Sequence, residues 1–195
     1  MRYRKQLPYA AATMVAVNIL VFIPCLSPAM ANRMLDKGDL NLYSFFVNRE
    51  YWRIVTAMFL HANVAHLFNN MLILFFLGTM LEEKLGHILY TVFYFLCGIG
   101  GNVLSLISKL RTEDMAGSIG ASGVVFGLDG ILLALVLFDK SERSRYPLPR
   151  VLVMIFLSLY SGYTGHNIDN AAHVGGLITG FLCGTLFSFL PRKRK

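Results

Sequence analysis

Charge is what this chain has least of. Asp, Glu, Lys and Arg make up 15% of its 195 residues while 55% are apolar, and the mean hydropathy is +0.56. Soluble domains of this length are rarely so poor in charge. Cysteine is scarce and has no metal-type spacing: Cys25, Cys97 and Cys183 all fall in apolar stretches without a CxxC pair, so they read as small packing residues and imply neither disulfide nor metal. No internal repeat, low-complexity linker or separate soluble segment is visible, and residues 1–195 read as a single integral membrane domain. The excess of basic residues, formally +7, does not require a nucleic-acid partner, because basic loops beside anionic lipid headgroups explain it.

What the chain does have is six long intervals almost free of charge: Gln6 to Asn32, Ile54 to Leu81, Leu85 to Ser108, Met115 to Phe138, Val151 to Ile168, and Asn170 to Pro191. Only Asp129 interrupts one of them. A bilayer core about 30 Å thick takes about 20 apolar helical residues, so each interval holds one span. The predicted fold is all-α, with spans at 8–28, 60–81, 87–108, 120–138, 149–164 and 170–190 and a long first outer loop. Placing the N-terminus inside puts twelve Lys and Arg on the inner side (Arg2, Arg4, Lys5, Lys84, Lys140, Arg143, Arg145, Arg150 and Arg192–Lys195). Six fall outside (Arg33, Lys37, Arg49, Arg53, Lys109 and Arg111), so both termini are expected in the cytoplasm. Met1–Lys5 followed by an apolar stretch ending Ala29-Met30-Ala31 imitates a signal peptide, but the uncharged run is too long for a signal core and reads as the first span.

Polar groups in hydrocarbon cost free energy unless paired or lining a wet cavity. Here they gather at one depth. His61, His66 and Asn70 lie in the entry half of the second span, Ser122 at the start of the fourth, and His173 just inside the sixth, four residues or roughly 6 Å past Asp169. His66 and Asn70, four apart, share a helix face. Gly123 and Gly127 beside Ser122, and Gly176 and Gly180 beside His173, form small-residue faces on which two helices can approach closely.

Four motifs in order resemble the rhomboid intramembrane proteases over most of the chain, from about Glu50 to the end of the sixth span. They are Glu50-Tyr51-Trp52-Arg53, His61-x4-His66-x3-Asn70, Gly120-Ala121-Ser122-Gly123, and Ala172-His173-x2-Gly176-x3-Gly180. The resemblance implies a minimal six-helix rhomboid bundle and a serine endopeptidase. Ser122 is then the nucleophile and His173 the general base, with the oxyanion held by the Ser122 N–H, His66 and Asn70. His61, Gly120, Gly123, Phe126, Gly176, Gly180, Trp52 and Arg53 support the site. It implies no cofactor and no metal. The partners are single-span or other transmembrane protein substrates in the lipid bilayer, in a setting such as a bacterial plasma membrane. The first outer loop, Ala29 to Tyr51, braces the protein at the interface. The fifth span and the loop Ser161 to Asn170 would gate and cap the site, with Gly162 and Gly165 easing its movement.

Each residue also has a plainer reading. A solitary intramembrane serine usually bonds its own helix, and His66 with Asn70 could be interhelical glue. His87 and His166 read as interfacial loop residues. A zinc site from His61, His66 and His173 lacks an HExxH pattern and a placed carboxylate. Asp169, one turn before His173, invites a triad, but sits at the loop edge in a family that uses no acid. Phe126 stands where some relatives carry Tyr. Asp129 is expected either protonated or bonded to a neighbouring helix. Two other functions compete: a catalytically silent rhomboid-like protein that binds clients, which would be expected to lack Ser122 or His173, and a transporter, which should show paired broken helices or a repeat.

Overall fold

The computed structural model describes residues 7–164 and 168–190. The basic residues Arg2, Arg4, Lys5 and Arg192–Lys195, together with Gly165 and His166, lie outside them. In chain order the helices are α1 (Tyr9–Phe22), α2 (Pro28–Gly38), α3 (Arg53–Thr56), α4 (Val64–Leu85), α5 (His87–Thr112), α6 (Ser122–Phe138), α7 (Lys140–Arg145), α8 (Leu148–Thr164) and α9 (Asn170–Phe189). Six of these, α1, α4, α5, α6, α8 and α9, correspond to the six apolar intervals. Among the described residues four helical stretches are long and apolar enough to cross a membrane, α1 counted with the 3₁₀ turn that follows it; α6 and α8 are shorter. Many of the large apolar side chains facing outward, such as Phe68, Phe76, Ile88 and Leu182, are more than half exposed, as suits a surface solvated by lipid tails.

α6 is the axis of the bundle. Its residues from Gly123 to Leu132 are all buried, and α4, α5, α8 and α9 pack around it. That is why its sequence is apolar on every side, where a helix with one wet face would show a stripe. Against α9 the approach is backbone to backbone. A methyl group added at Gly176 would lie 1.9 Å from the Gly123 carbonyl oxygen, and one at Gly180 would lie 1.8 Å from that of Gly127. Gly101 of α5 closes the same seam, with room for a methyl only 2.7 Å from the Ala172 carbonyl oxygen.

The helices alternate in direction, so α4, α6 and α9 begin at one end, here the upper, and α1, α5 and α8 begin at the lower. The first loop is more ordered than its composition suggests. It contains α2, a π turn at Tyr43–Val47 and α3, and Leu40 pairs with Ser118 in an antiparallel bridge. Arg53, 4% exposed, organises it: the guanidinium donates to the Glu50 carboxylate at 2.5 Å, to Asp39 Oδ1 at 2.8 Å, and to the backbone carbonyls of Asp39 and Asp36. Trp52 beside it is 56% exposed and faces outward.

The lower end carries two polar clasps. The buried Glu82 carboxylate near the end of α4 accepts from the N–H groups of Ala10 and Ala11 at 2.9 and 2.7 Å, satisfying first-turn donors of α1, and also meets His87 Nδ1. His87 is therefore the first residue of α5 and a partner of a buried acid, a different position from the interfacial loop expected for it. Lys84 Nζ lies 2.8 Å from Asp139 and 2.7 Å from Glu142, tying α4 to α7. Gly162 falls within the last turn of α8, so the helix runs further than a loop beginning at Ser161 would allow.

Candidate active site

The loop leading into α6 sets the position of Ser122. Lys109 holds it from below by donating to Asp114 at 3.1 Å and to the Ala116 carbonyl at 2.8 Å, and the Gly120 N–H donates to the Ala57 carbonyl at 2.9 Å. Gly120 has φ +123°, a conformation that side chains disfavour, and space is lacking too. A methyl there would sit 2.9 Å from His66 Cε1 and Nε2 and 3.7 Å from Ser122 Oγ. The imidazole of His66 and the hydroxyl of Ser122 thus flank a residue that only glycine can be.

Ser122 opens α6, and its Oγ lies 2.9 Å from His173 Nε2. His173, 5% exposed, stacks on Phe126 with ring centroids 4.3 Å apart and planes 18° from parallel. With Nε2 accepting from the serine hydroxyl, the proton of the neutral ring resides on Nδ1, which is buried without a protein partner among the described residues. Asp169 does not supply one. It caps α9 by accepting from the Ala172 N–H at 3.0 Å, and its other oxygen accepts from the hydroxyls of Ser118, at 2.5 Å, and Ser105. The imidazole is held by an aromatic face in place of a carboxylate.

His66 Nδ1 accepts from the Ala62 N–H at 3.4 Å, which leaves Nε2 as the donor on the side of Gly120 and Ser122. Asn70, one turn further into α4, is 6% exposed and its Nδ2 has no partner among the described residues. His61 packs edge-on against His66 with centroids 5.0 Å apart; it is 2% exposed, and its ring nitrogens have no well-formed hydrogen bond among the described residues. Ser122, His173, His66 and Gly120 therefore meet directly, while Phe126, Gly123, Gly176 and Gly180 set the spacing. Trp52 and Arg53 belong to the first loop, where Arg53 is engaged by Glu50, Asp39 and Asp36. Among the described residues no three His, Cys, Asp or Glu side chains are grouped to hold a metal ion.

Asp129 is buried at 1% exposure, and neither carboxylate oxygen has a hydrogen-bond partner among the described residues, so of the two expected states, protonated or bonded to a neighbouring helix, the second is not seen there. Sequence reading passed over Ser105 and Ser118, the two hydroxyls that fix Asp169. The signal for Ser105 was present: Gly98, Gly101, Asn102, Ser105 and Lys109 recur at three and four residues on α5, a small and polar face that must look inward.

Fold and site together define a multi-pass helical membrane protein with a serine–histidine pair among its helices. Comparison with known proteins sharpens that class. The family model described as the Rhomboid domain matches residues 48–189, and the chain belongs to the rhomboid family. It is similar to "RHOMBOID-like protein 1" of Arabidopsis thaliana, with 35% identity over 87% of this chain and 42% of that protein. It is also similar to "Rhomboid protease GluP" of Bacillus subtilis, 36% over 76% and 28%, and to "Rhomboid protease AarA" of Providencia stuartii, 30% over 93% and 73%. The chain spans less than half the length of the first two. It is an integral membrane protein.

Proposed function

We propose that this protein is an intramembrane serine endopeptidase that cuts transmembrane segments of other membrane proteins near one face of the bilayer. The observation that carries this reading is the 2.9 Å contact of Ser122 Oγ with His173 Nε2, in which a hydroxyl and a base are already in hydrogen-bond reach.

His173 takes the Ser122 proton as Oγ attacks the scissile carbonyl carbon, and the carbonyl oxygen becomes an oxyanion. Three donors face that charge. Ser122 is the first residue of α6, so its N–H has no acceptor within the helix, and the positive end of the helix dipole lies there. The imidazole of His66 and the Asn70 Nδ2, which has no partner among the described residues, complete the set. The imidazolium then protonates the leaving amine, and the same ring activates the water that hydrolyses the acyl-enzyme. Phe126 keeps the ring in register through both half-reactions.

A peptide bond inside a helix is shielded by its own hydrogen bonds, so the substrate segment unwinds before it is cut, and helix-breaking and small residues at the scissile bond favour cleavage. The upper end faces outward. Lys84, Lys140, Arg143, Arg145 and Arg150 at the lower end favour the cytoplasmic side, in keeping with a bacterial plasma membrane.

The test is cleavage of a labelled single-span membrane protein co-reconstituted in liposomes, with products sized by mass spectrometry. The expected cut lies within the span near its outer boundary and disappears with Ser122→Ala, a loss of at least about 10⁴-fold. No cut across a panel of substrates, together with no labelling of Ser122 by a serine-directed phosphonate, overturns the reading in favour of a silent client-binding protein.

A further inference from the structure

Between α4 and α8, on the lower half of the bundle, lies a groove of about 480 Å³. Leu72, Phe76 and Met80 of α4 form one wall, Val151 and Met154 of α8 the other, and Leu132 of α6 the floor. At its lower mouth the lining changes character to Arg145, Tyr146 and Arg150. None of these residues belongs to the site around Ser122. An apolar trough that ends in two cations and an interfacial aromatic has the chemistry of a phospholipid: a tail beside a phosphate.

We infer that this groove binds one anionic phospholipid of the leaflet opposite the dyad, its acyl chain between α4 and α8 and its phosphate on Arg145 and Arg150. The inference rests on the proposed function only in naming that leaflet the cytoplasmic one. The charges suit the ligand. Arg145, with a side chain 46% exposed, lies over the Tyr146 ring at 5.3 Å and gives one N–H to Glu83 at 3.3 Å, which leaves further donors of its fork for a phosphate. Arg150 has no ion pair among the described residues and sits in the first turn of α8, where the helix dipole adds positive charge. Nearby Lys84 is already engaged by Asp139 and Glu142 and does not enter the site. Size favours a lipid tail over a protein helix, since a helix about 10–12 Å across fills this volume in about one turn.

The test is native mass spectrometry of the full chain in detergent, offered equal phosphatidylglycerol and phosphatidylcholine with identical acyl chains. The wild type is expected to retain one phosphatidylglycerol in preference. An arginine near an anionic lipid surface is worth about fivefold, so Arg145→Gln with Arg150→Gln lowers that retention about 25-fold. Leu72→Trp, which fills the trough, is expected to lose both lipids. Melting temperature and Ser122 labelling report whether each variant folds, and Arg150→Lys keeps most of the preference if the double variant does not. Equal retention of the two lipids by the wild type overturns the proposal, as does unchanged retention in a folded double variant. So does displacement of phosphatidylglycerol by the same concentration of glycerol phosphate, which marks a bare phosphate site, or a photo-crosslinker at residue 72 that captures a protein helix in preference to the lipid. Proteolysis is not read in this experiment, so a failed protease assay leaves its outcome intact.

Discussion

The two sides of α6 are built by different rules. Toward α9 it touches glycine with glycine, and no atom lies between the two backbones at Gly123 and Gly176 or at Gly127 and Gly180. Toward α4 and α8 it presents large side chains such as Leu132, and a groove remains between its neighbours. In lipid, where burial of apolar surface brings no gain over tail contact, tight association depends on dispersion and close approach. The first seam is therefore the stiff one, and it carries both partners of the dyad. The second is where one helix can shift against another without breaking backbone contact.

The sharpest way to break this comparison is to add one carbon to the stiff side. Gly180→Ala drives a methyl into the Gly127 carbonyl oxygen, so α6 and α9 must separate. The expected result is a fall in melting temperature of about 10 °C, from overpacking of about 3 kcal/mol, with loss of phosphonate labelling of Ser122. Met154→Ala on α8, a half-buried side chain that lines the groove of the second seam, is expected to lower the melting temperature by less than about 4 °C. Equal effects at the two positions would show that the two seams are alike. Next in size, Asn70→Ala removes a donor while leaving both seams intact, so kcat should fall by about 10² to 10³ with an unchanged melting temperature. Phe126→Leu removes the aromatic face under His173 and is expected to cost about tenfold in kcat, whereas Phe126→Tyr retains activity. The smallest effect concerns Asp129. Replacing its buried carboxyl, which has no partner among the described residues, by Leu should raise the melting temperature by a few degrees, and a loss of cleavage there instead would reveal a role in moving protons.

Much of this contrast was visible before any coordinates. Gly123, Gly127, Gly176 and Gly180 are spaced for a helix face, and that spacing already places α6 against α9; Ser122 and His173 follow because they share those helices. What could not be read is whatever depends on long-range hydrogen bonding. Asp169 sits four residues from His173 in the sequence, and only the positions of Ser105 and Ser118 settle that its oxygens face away from the imidazole. Glu82 and Lys84 look in sequence like an ordinary charged helix end, yet the side chains of both are covered, because their partners lie at positions 10, 11, 139 and 142. Periodicity reports which face of a helix is apolar, and it carries no information on which distant donor meets a lone carboxylate. The first loop was underestimated for the same reason: its order depends on Arg53 reaching carbonyls 14 and 17 residues earlier in the chain.

One feature of the lower end bears on how the molecule responds to load. Glu82 grips the opening turn of α1, and it does so from the far end of the helix whose other end carries His66 and Asn70. The 22 residues of α4 form a rod about 33 Å long. Any tension applied through polypeptide ahead of Tyr9 is therefore delivered by a carboxylate latch to the same strut that positions the candidate oxyanion donors. The opening turn of α1 is a handle on the candidate site, although the carboxylate that grips it lies at the opposite end of α4 from His66 and Asn70.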